Sequence, residues 1–260
     1  MKRIISPKNE LIRKLKRLHS AAQRRKHKLF LIVGKREVLR SLEAKFPITH
    51  ILSTKENPDI PDHLRGSIKN IELVWISEKI MGELSYGDTK PELVAIGKYV
   101  LPNPDEFDYS GRIVVVVNVE KPGNVGAIMR IADATNSKVI IASEHLDPWN
   151  PNIIRASTGT IFSIPWVLLP PNEALSRLKK HKIPIVVATP EATETHWNVN
   201  LRSPVAIVVG SEHLGVPELW KDSADCKVRI PMLGIADSLN TSVSAGLLLY
   251  ESLRQEINGI

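Results

Sequence analysis

Residues 113–130 read IVVVVNVEKPGNVGAIMR. Five β-branched apolar residues in a row, with no polar alternation, describe a strand covered on both faces, as parallel strands between helix layers are. Pro122 and Gly123 end it, and residues 125–135 read as a helix. Asn124 and Arg130 therefore stand just beyond a strand's carboxyl end, with Arg130 about a turn and a half into the helix and aimed back at the turn. Gly123 and Gly126 permit a tight turn and close ligand approach, the helix start can receive an anion, and Arg130 offers a fork of donors suited to phosphate. Taken alone, the same residues also describe a common Gly-containing turn with a solvated Arg.

The pattern recurs in KVIIA (138–142), PIVVA (184–188), VAIVV (205–209) and KVRI (227–230), separated by helical stretches at 125–135, 173–181 and 240–255. Such alternation predicts an α/β fold with a mostly parallel sheet and helices on both faces, whose ligands lie beyond the strands' carboxyl ends. In the first hundred residues LFLIV at 29, THIL at 49, LVWI at 73 and LVAIGKYV at 93 alternate with helical stretches at 35–45 and 78–84, which predicts a small α/β domain. The aperiodic, Pro-containing and acidic LPNPDEFDYSG at 101–111 reads as a linker, so the boundary is set near Asp105, with domains 1–104 and 105–260.

Charge is distributed unevenly. Residues 1–50 hold 15 Lys or Arg against Glu10, Glu37 and Glu43, a surplus of +12 in a chain of net +7, so the other residues sum to −5. A basic face of this kind fits a polyanion partner, or else a solvated helix surface. Its densest part, Arg24, Arg25, Lys26 and Lys28, lies at the mouth of the strand starting at Leu29. A mean hydropathy of −0.08 with no apolar run long enough for a span, and a basic N-terminus without an apolar signal core, lead to an expectation of a cytoplasmic protein. Cys226 is the single cysteine, which excludes an internal disulfide and a cysteine-cluster zinc site; it is expected to be a packed thiol.

Two further strand-end loops carry polar groups. In VVGSEHLGVPELW (208–220), Gly210 and Gly215 bracket Ser211 and Glu212. His213 lacks a second His at ligand spacing, so no metal is expected. In RIPMLGIADSLNTSVSAGLLLYESL (229–253) a Pro-containing loop ends in the helix caps Ser238 and Asn240, and Ser242, Ser244, Ala245 and Gly246 leave room for close approach of another helix. Val243, Leu247, Tyr250 and Arg254 share a face of that helix. No GxGxxG, Walker loop or GxSxG elbow is present, which disfavours dinucleotide, P-loop and serine-hydrolase readings.

Together, Asn124-x-Gly126-x-x-x-Arg130, Gly210-Ser211-Glu212-x-x-Gly215 and Ile230-Pro231-Met232 followed by Ser238-Leu239-Asn240 resemble, in order and spacing, the three motifs of the SpoU branch of the SPOUT RNA methyltransferases. IIRASTGTIFSIPWV (153–167) is similar to the family segment that holds a second functional Arg, here Arg155. RRKHKLFLIVGKREVLRSL resembles the small substrate-binding domain of ribosomal RNA members, similar to kink-turn-binding ribosomal proteins. Two departures are Asn136, where members often have Gly, and Glu120-Lys121, more polar than is common before the motif Asn.

The resemblance implies a deep C-terminal trefoil knot, an exception to unknotted topology. It implies S-adenosylmethionine held by Thr189, Gly210, Ser211, Gly215, Ile230, Met232 and Leu239, and a homodimer in which Arg130 of one subunit faces the cofactor of the other. Arg130 would be catalytic, Asn124 would orient it and the ribose, and Glu212, Ser238 and Asn240 would support the site. Arg24, Arg25, Lys26, Lys28 and Arg155 would bind RNA. The implied activity is methylation of a ribose 2′-hydroxyl in ribosomal RNA; a transfer RNA substrate, or a non-catalytic RNA-binding protein on the same scaffold, are the alternatives.

Overall fold

Each of the apolar runs becomes a strand in a computed structural model that describes residues 2–86 and 90–259, and these residues fall into two units. One comprises residues up to Val100 together with Trp149–Ser163; the other comprises Leu101–Pro148 and the chain from Ile164 onward.

The first unit runs β1 (Lys2–Ile4), α1 (Glu10–Arg17), α2 (Ala21–His27), β2 (Leu29–Val33), α3 (Lys35–Glu43), β3 (Ile48–Ser53), β4 (Glu72–Ile76), α4 (Glu78–Leu84) and β5 (Leu93–Lys98). Its sheet has the order β1-β4-β3-β5-β2, with β5 antiparallel to both neighbours. Helix α1 was hidden in the sequence by its charge, yet Ile12, Leu15 and then Leu18 fall at helical spacing and are fully buried, and Asn9 caps it by accepting from the Leu11 amide at 3.0 Å. Arg24, expected on the exposed basic face, is turned inward with 2% exposure and donates to the Leu18 and His19 carbonyls at 2.7 and 2.9 Å, closing the turn between α1 and α2. Arg25, Lys26 and Lys28 remain exposed.

The second unit continues with β6 (Arg112–Val117), α5 (Pro122–Ala134) and β7 (Lys138–Ala142). The chain then contributes Trp149–Ser163, including α6 (Pro151–Ala156), to the first unit, although the sequence boundary near Asp105 assigned that segment to the domain 105–260. There Trp149 stacks on Phe30 with centroids 4.4 Å apart, and Arg40 donates to the Thr158 carbonyl at 2.7 Å. After this excursion follow β8 (Trp166–Leu169), α7 (Pro171–Lys180), β9 (Ile185–Ala188), β10 (Glu194–Thr195), β11 (Val205–Val209), α8 (Glu218–Asp222), β12 (Cys226–Arg229) and α9 (Thr241–Asn258).

All seven strands of this unit are parallel, in the order β10-β12-β9-β11-β6-β7-β8. On one face Ile113, Val115 and Val117 pack with Ala174, Leu175 and Leu178 of α7 and Trp220 of α8. On the other, α9 lies against β6 and β11, and α5 against β7 and α9. The small residues of α9 do allow close approach: a Cβ built on Gly246 would lie 3.4 Å from Ile131 Cδ1 of α5. The stretch 101–111 is less of a linker than its composition suggested, because Phe107 and Tyr109 are buried in this unit's core. Asn136, at φ 48°, occupies the left-handed position that a Gly would fill, and Asn tolerates it. Cys226 is half-buried on β12 rather than packed in the core.

Candidate functional site

The strand order places the site. The chain goes from β6 to β7 on one side and returns to β11 and β9 on the other, so loops diverge at the carboxyl ends of β6 and β11 and open a crevice there. β6 and β11 are adjacent and in register, Val116 opposite Val209, which brings the loops carrying Asn124 and Glu212 together. The Asn124 side-chain amide donates to Glu212 Oε1. Asn240, the N-cap of α9, donates from Nδ2 to Asn124 Oδ1 at 3.2 Å, and its own Oδ1 accepts from the Ser242 amide at 3.0 Å and from Ser242 Oγ at 2.6 Å. Three loops distant in sequence thus share one directed chain of donors ending on a carboxylate. Lys121 Nζ lies 3.9 Å from Glu212 Oε1.

Glu212 also lines a cavity of about 430 Å³ at the ends of β9, β11 and β12. All seven residues expected to hold a cofactor, Thr189, Gly210, Ser211, Gly215, Ile230, Met232 and Leu239, line it, as does Ser238. The loop after β11 is closed on itself: Ser211 and Gly215 exchange backbone hydrogen bonds at 3.2 and 3.0 Å, and Ser211 Oγ accepts from the Leu214 amide at 3.1 Å. Gly215 has φ +65°, and a Cβ on Gly210 would sit 2.1 Å from the Gly215 carbonyl oxygen, so neither position accepts a side chain without rearrangement. Thr241 Oγ1 donates to the Gly210 carbonyl at 3.1 Å, tying the start of α9 to this loop. The polar residues crowded at that helix start therefore have structural partners as well as a site to serve.

At the far wall Thr189 Oγ1 donates to Glu191, whose carboxylate stands 3.4 Å from Lys221 Nζ. The Thr189 hydroxyl and the Lys221 ammonium hold the Glu191 carboxyl below its ordinary range. Sequence reasoning missed Glu191 and Lys221; a polar residue two positions past Thr189 at a strand end was the available signal for Glu191, and none existed for Lys221.

Arg130 is not brought to this cavity. Because α5 begins at Pro122, Asn124 and Arg130 lie on the same helix, and positions six apart are rotated by about 240°. Asn124 faces Glu212 while Arg130 is exposed and has no hydrogen-bond or ion-pair partner among the described residues. The expectation that the helix aims Arg130 back at its own turn is thereby corrected. Gly123 is helical, and a Cβ there meets no atom within 4 Å, so it is not needed for a tight turn. Arg155 is exposed on α6 in the first unit, with Nη2 donating to Asn152 Oδ1 at 3.2 Å. Among the described residues there is no group of three His, Cys, Asp or Glu arranged for a metal.

The sequence from 111 to 250 matches the SpoU rRNA Methylase family, and residues 9–95 match the MRM3-like substrate binding domain. The chain belongs to the SpoU rRNA methylase family. It is 29% identical to a 23S rRNA (uridine(2479)-2′-O)-methyltransferase of Streptomyces viridochromogenes, over 88% of this chain and 84% of the relative. It is 28% identical to the 23S rRNA (guanosine(2553)-2′-O)-methyltransferase RlmP of Bacillus subtilis, over 96% and 98%. Among solved structures, an RNA 2′-O ribose methyltransferase superposes with a TM-score of 0.85 at 39% identity, covering 98% of this chain and 99% of that one. The SpoU methyltransferase AviRb of Streptomyces viridochromogenes in complex with AdoMet superposes with a TM-score of 0.86 at 26% identity, covering 97% and 100%.

Proposed function

We propose that the protein is an S-adenosylmethionine-dependent methyltransferase that modifies a ribose 2′-hydroxyl of ribosomal RNA, working in the cytoplasm as a homodimer. The observation that carries this reading is the double membership of Glu212, which lines the cavity and receives the donor chain from Asn240 through Asn124. The full-length similarity to enzymes named as 23S rRNA 2′-O-methyltransferases, and the added substrate-binding domain, favour ribosomal over transfer RNA.

The cavity suits the cofactor. Its volume of about 430 Å³ falls in the range of small-ligand sites, and its lining mixes apolar side chains with polar groups and loop backbone. When bound, S-adenosylmethionine supplies an electrophilic sulfonium methyl. Thr189, Gly210, Ser211, Gly215, Ile230, Met232 and Leu239 would hold it, in loops that on this reading form the trefoil knot.

The chain's other residues serve the ribose. Asn124, fixed between Glu212 and Asn240, orients the hydroxyl, with Ser238 at the cavity rim as a further polar support. A guanidinium keeps its proton in proteins, so Arg130 acts by binding phosphate or hydroxyl and offsetting the negative charge that develops on the attacking oxygen. Its direction away from its own cavity, and the exposed Leu247 and Tyr250 at 43% and 53% on α9, favour a paired subunit whose Arg130 reaches this site. Arg25, Lys26, Lys28 and Arg155 on the first unit would bind the RNA backbone, while the inward Arg24 would position α2.

The test is transfer of tritium from labelled S-adenosylmethionine to unmodified total RNA, size-fractionated, with Arg130→Ala as the control. Label in large ribosomal RNA that Arg130→Ala abolishes supports the proposal. Absence of label from every fraction, with a protein that binds the cofactor, would turn the reading towards an RNA-binding protein.

A further inference from the structure

The donor chain at the site runs one way, from Ser242 to Asn240 to Asn124 to Glu212, and ends on a carboxylate whose side chain is only 16% exposed. A partly desolvated negative charge is thereby placed where a polyanion must approach, in a chain whose residues from 51 onward sum to −5. Lys121 answers it. Lys121 Nζ is 3.9 Å from Glu212 Oε1, the same oxygen that accepts from Asn124, and the Lys121 side chain is 62% exposed, so its ammonium has donors left over for solvent or ligand.

Resting on the proposed RNA reaction, we infer that Lys121 binds a phosphate of the RNA next to the target ribose while screening the Glu212 carboxylate from it. Three features of the geometry agree. Lys121 immediately precedes the helix that carries Asn124, so its ammonium is tethered three residues from the group that orients the ribose. Its distance to Glu212 is that of a loose ion pair, which an incoming phosphate can share rather than break. A Lys is a mobile point charge on a flexible stem and so follows a phosphate whose place varies as the ribose is drawn in. Lys121 does not itself line the cofactor cavity, although its partner Glu212 does, so the cofactor Kd separates an effect on the RNA from one passed through Glu212.

The test compares wild type with Lys121→Ala, Lys121→Glu and Lys121→Arg, measuring kcat and KM for RNA over a series of KCl concentrations and the cofactor Kd by calorimetry. Lys121→Ala is expected to raise KM for RNA on the order of 3–10-fold and to flatten the slope of log(kcat/KM) against log[salt] by about 0.7, the share of one phosphate contact on single-stranded nucleic acid. Lys121→Glu should raise KM further, Lys121→Arg should keep the wild-type slope, and the cofactor Kd should stay within about twofold throughout. A wild-type KM and salt slope in Lys121→Ala would overturn the inference and leave the methyltransferase intact. So would a loss in Lys121→Arg equal to that in Lys121→Ala, or a weakened cofactor Kd that accounts for the whole effect. A wild-type protein that methylates no RNA would instead overturn the proposed function, and this inference with it.

Discussion

Asn240 donates from its side-chain amide to the side-chain oxygen Oδ1 of Asn124 at 3.2 Å, joining residues 116 positions apart, and at the same time caps α9 through Ser242. The two tasks can be separated. In Asn240→Asp the side chain keeps an acceptor for the Ser242 amide but loses the donor to Asn124, so two acceptors face each other. Thermal stability should change little while kcat falls by roughly 10²-fold. Asn240→Ala should lose kcat similarly and also about 1 kcal/mol of stability with the cap. Differential scanning calorimetry beside single-turnover methyl transfer distinguishes the two; equal stability losses in both variants would refute the separation.

Gly210 is set against the carbonyl of Gly215, and that contact shapes one wall of the cavity. The 2.1 Å separation from an added Cβ to the Gly215 oxygen can be relieved only by opening the Ser211 to Gly215 bridge. Gly210→Ala should weaken cofactor binding at least tenfold, on the order of 1.4 kcal/mol or more. Gly234→Ala, where a Cβ meets nothing within 4 Å, serves as the control and should bind normally. Calorimetric titration with S-adenosylmethionine reads both.

How far the sequence led can be judged from these same elements. The apolar runs at β6, β7, β9, β11 and β12 were readable because a strand buried on both faces needs no alternation, whereas the cavity-lining residues came from the resemblance of the strand-end motifs to the SpoU family. What the sequence did not show depends on three-dimensional neighbours. Arg24 looked like any other cation until the α1 to α2 turn supplied two carbonyls for it. β8 was passed over because Trp166–Leu169 is short and follows a Ser- and Thr-rich stretch. That Trp149–Ser163 joins the first unit rests on the stacking of Trp149 against Phe30, about 120 residues earlier in the chain, which no local pattern reports. Arg130, read locally as aimed back at its own turn, is instead exposed, since the start of α5 at Pro122 fixes the rotation.

Asp108, in the stretch between the two units' main elements, is bound by Lys138 and accepts from the Ser110 amide at 2.8 Å. The Lys138 ammonium first, and the Ser110 donors second, hold its carboxyl well below the usual carboxylate range. The folded value lies under the unfolded value of about 3.9, so the contribution is fully present above that pH and is lost as pH falls towards the folded value. Asp108→Asn should therefore lower the urea midpoint at pH 7, by a modest amount because Asp108 is largely exposed, and the gap to wild type should close progressively below pH about 4. A gap that stays constant on acidification would mean that the loss comes from the Ser110 turn rather than from the charge.

The rotation of Arg130 away from Glu212 gives the shared-site proposal a sharp test. Arg130→Ala and Glu212→Gln homodimers should each be inactive. In a mixed dimer, one site combines the intact Glu212 loop of the first chain with the intact Arg130 of the second, while the other site lacks both. Random reassortment of equal amounts makes half of the dimers mixed, each with one working site, so the mixture should recover roughly a quarter of wild-type activity. Co-expression of the two variants, or mixing after reversible unfolding, allows the exchange, and methyl transfer to RNA reads the result. If Arg130 served its own chain, every site would still lack one of the two residues and mixing would restore nothing. Leu247→Glu, placed on the exposed stripe of α9, should give a monomer in light scattering and remove the recovered activity, because the apolar face that pairs the subunits would carry a buried charge.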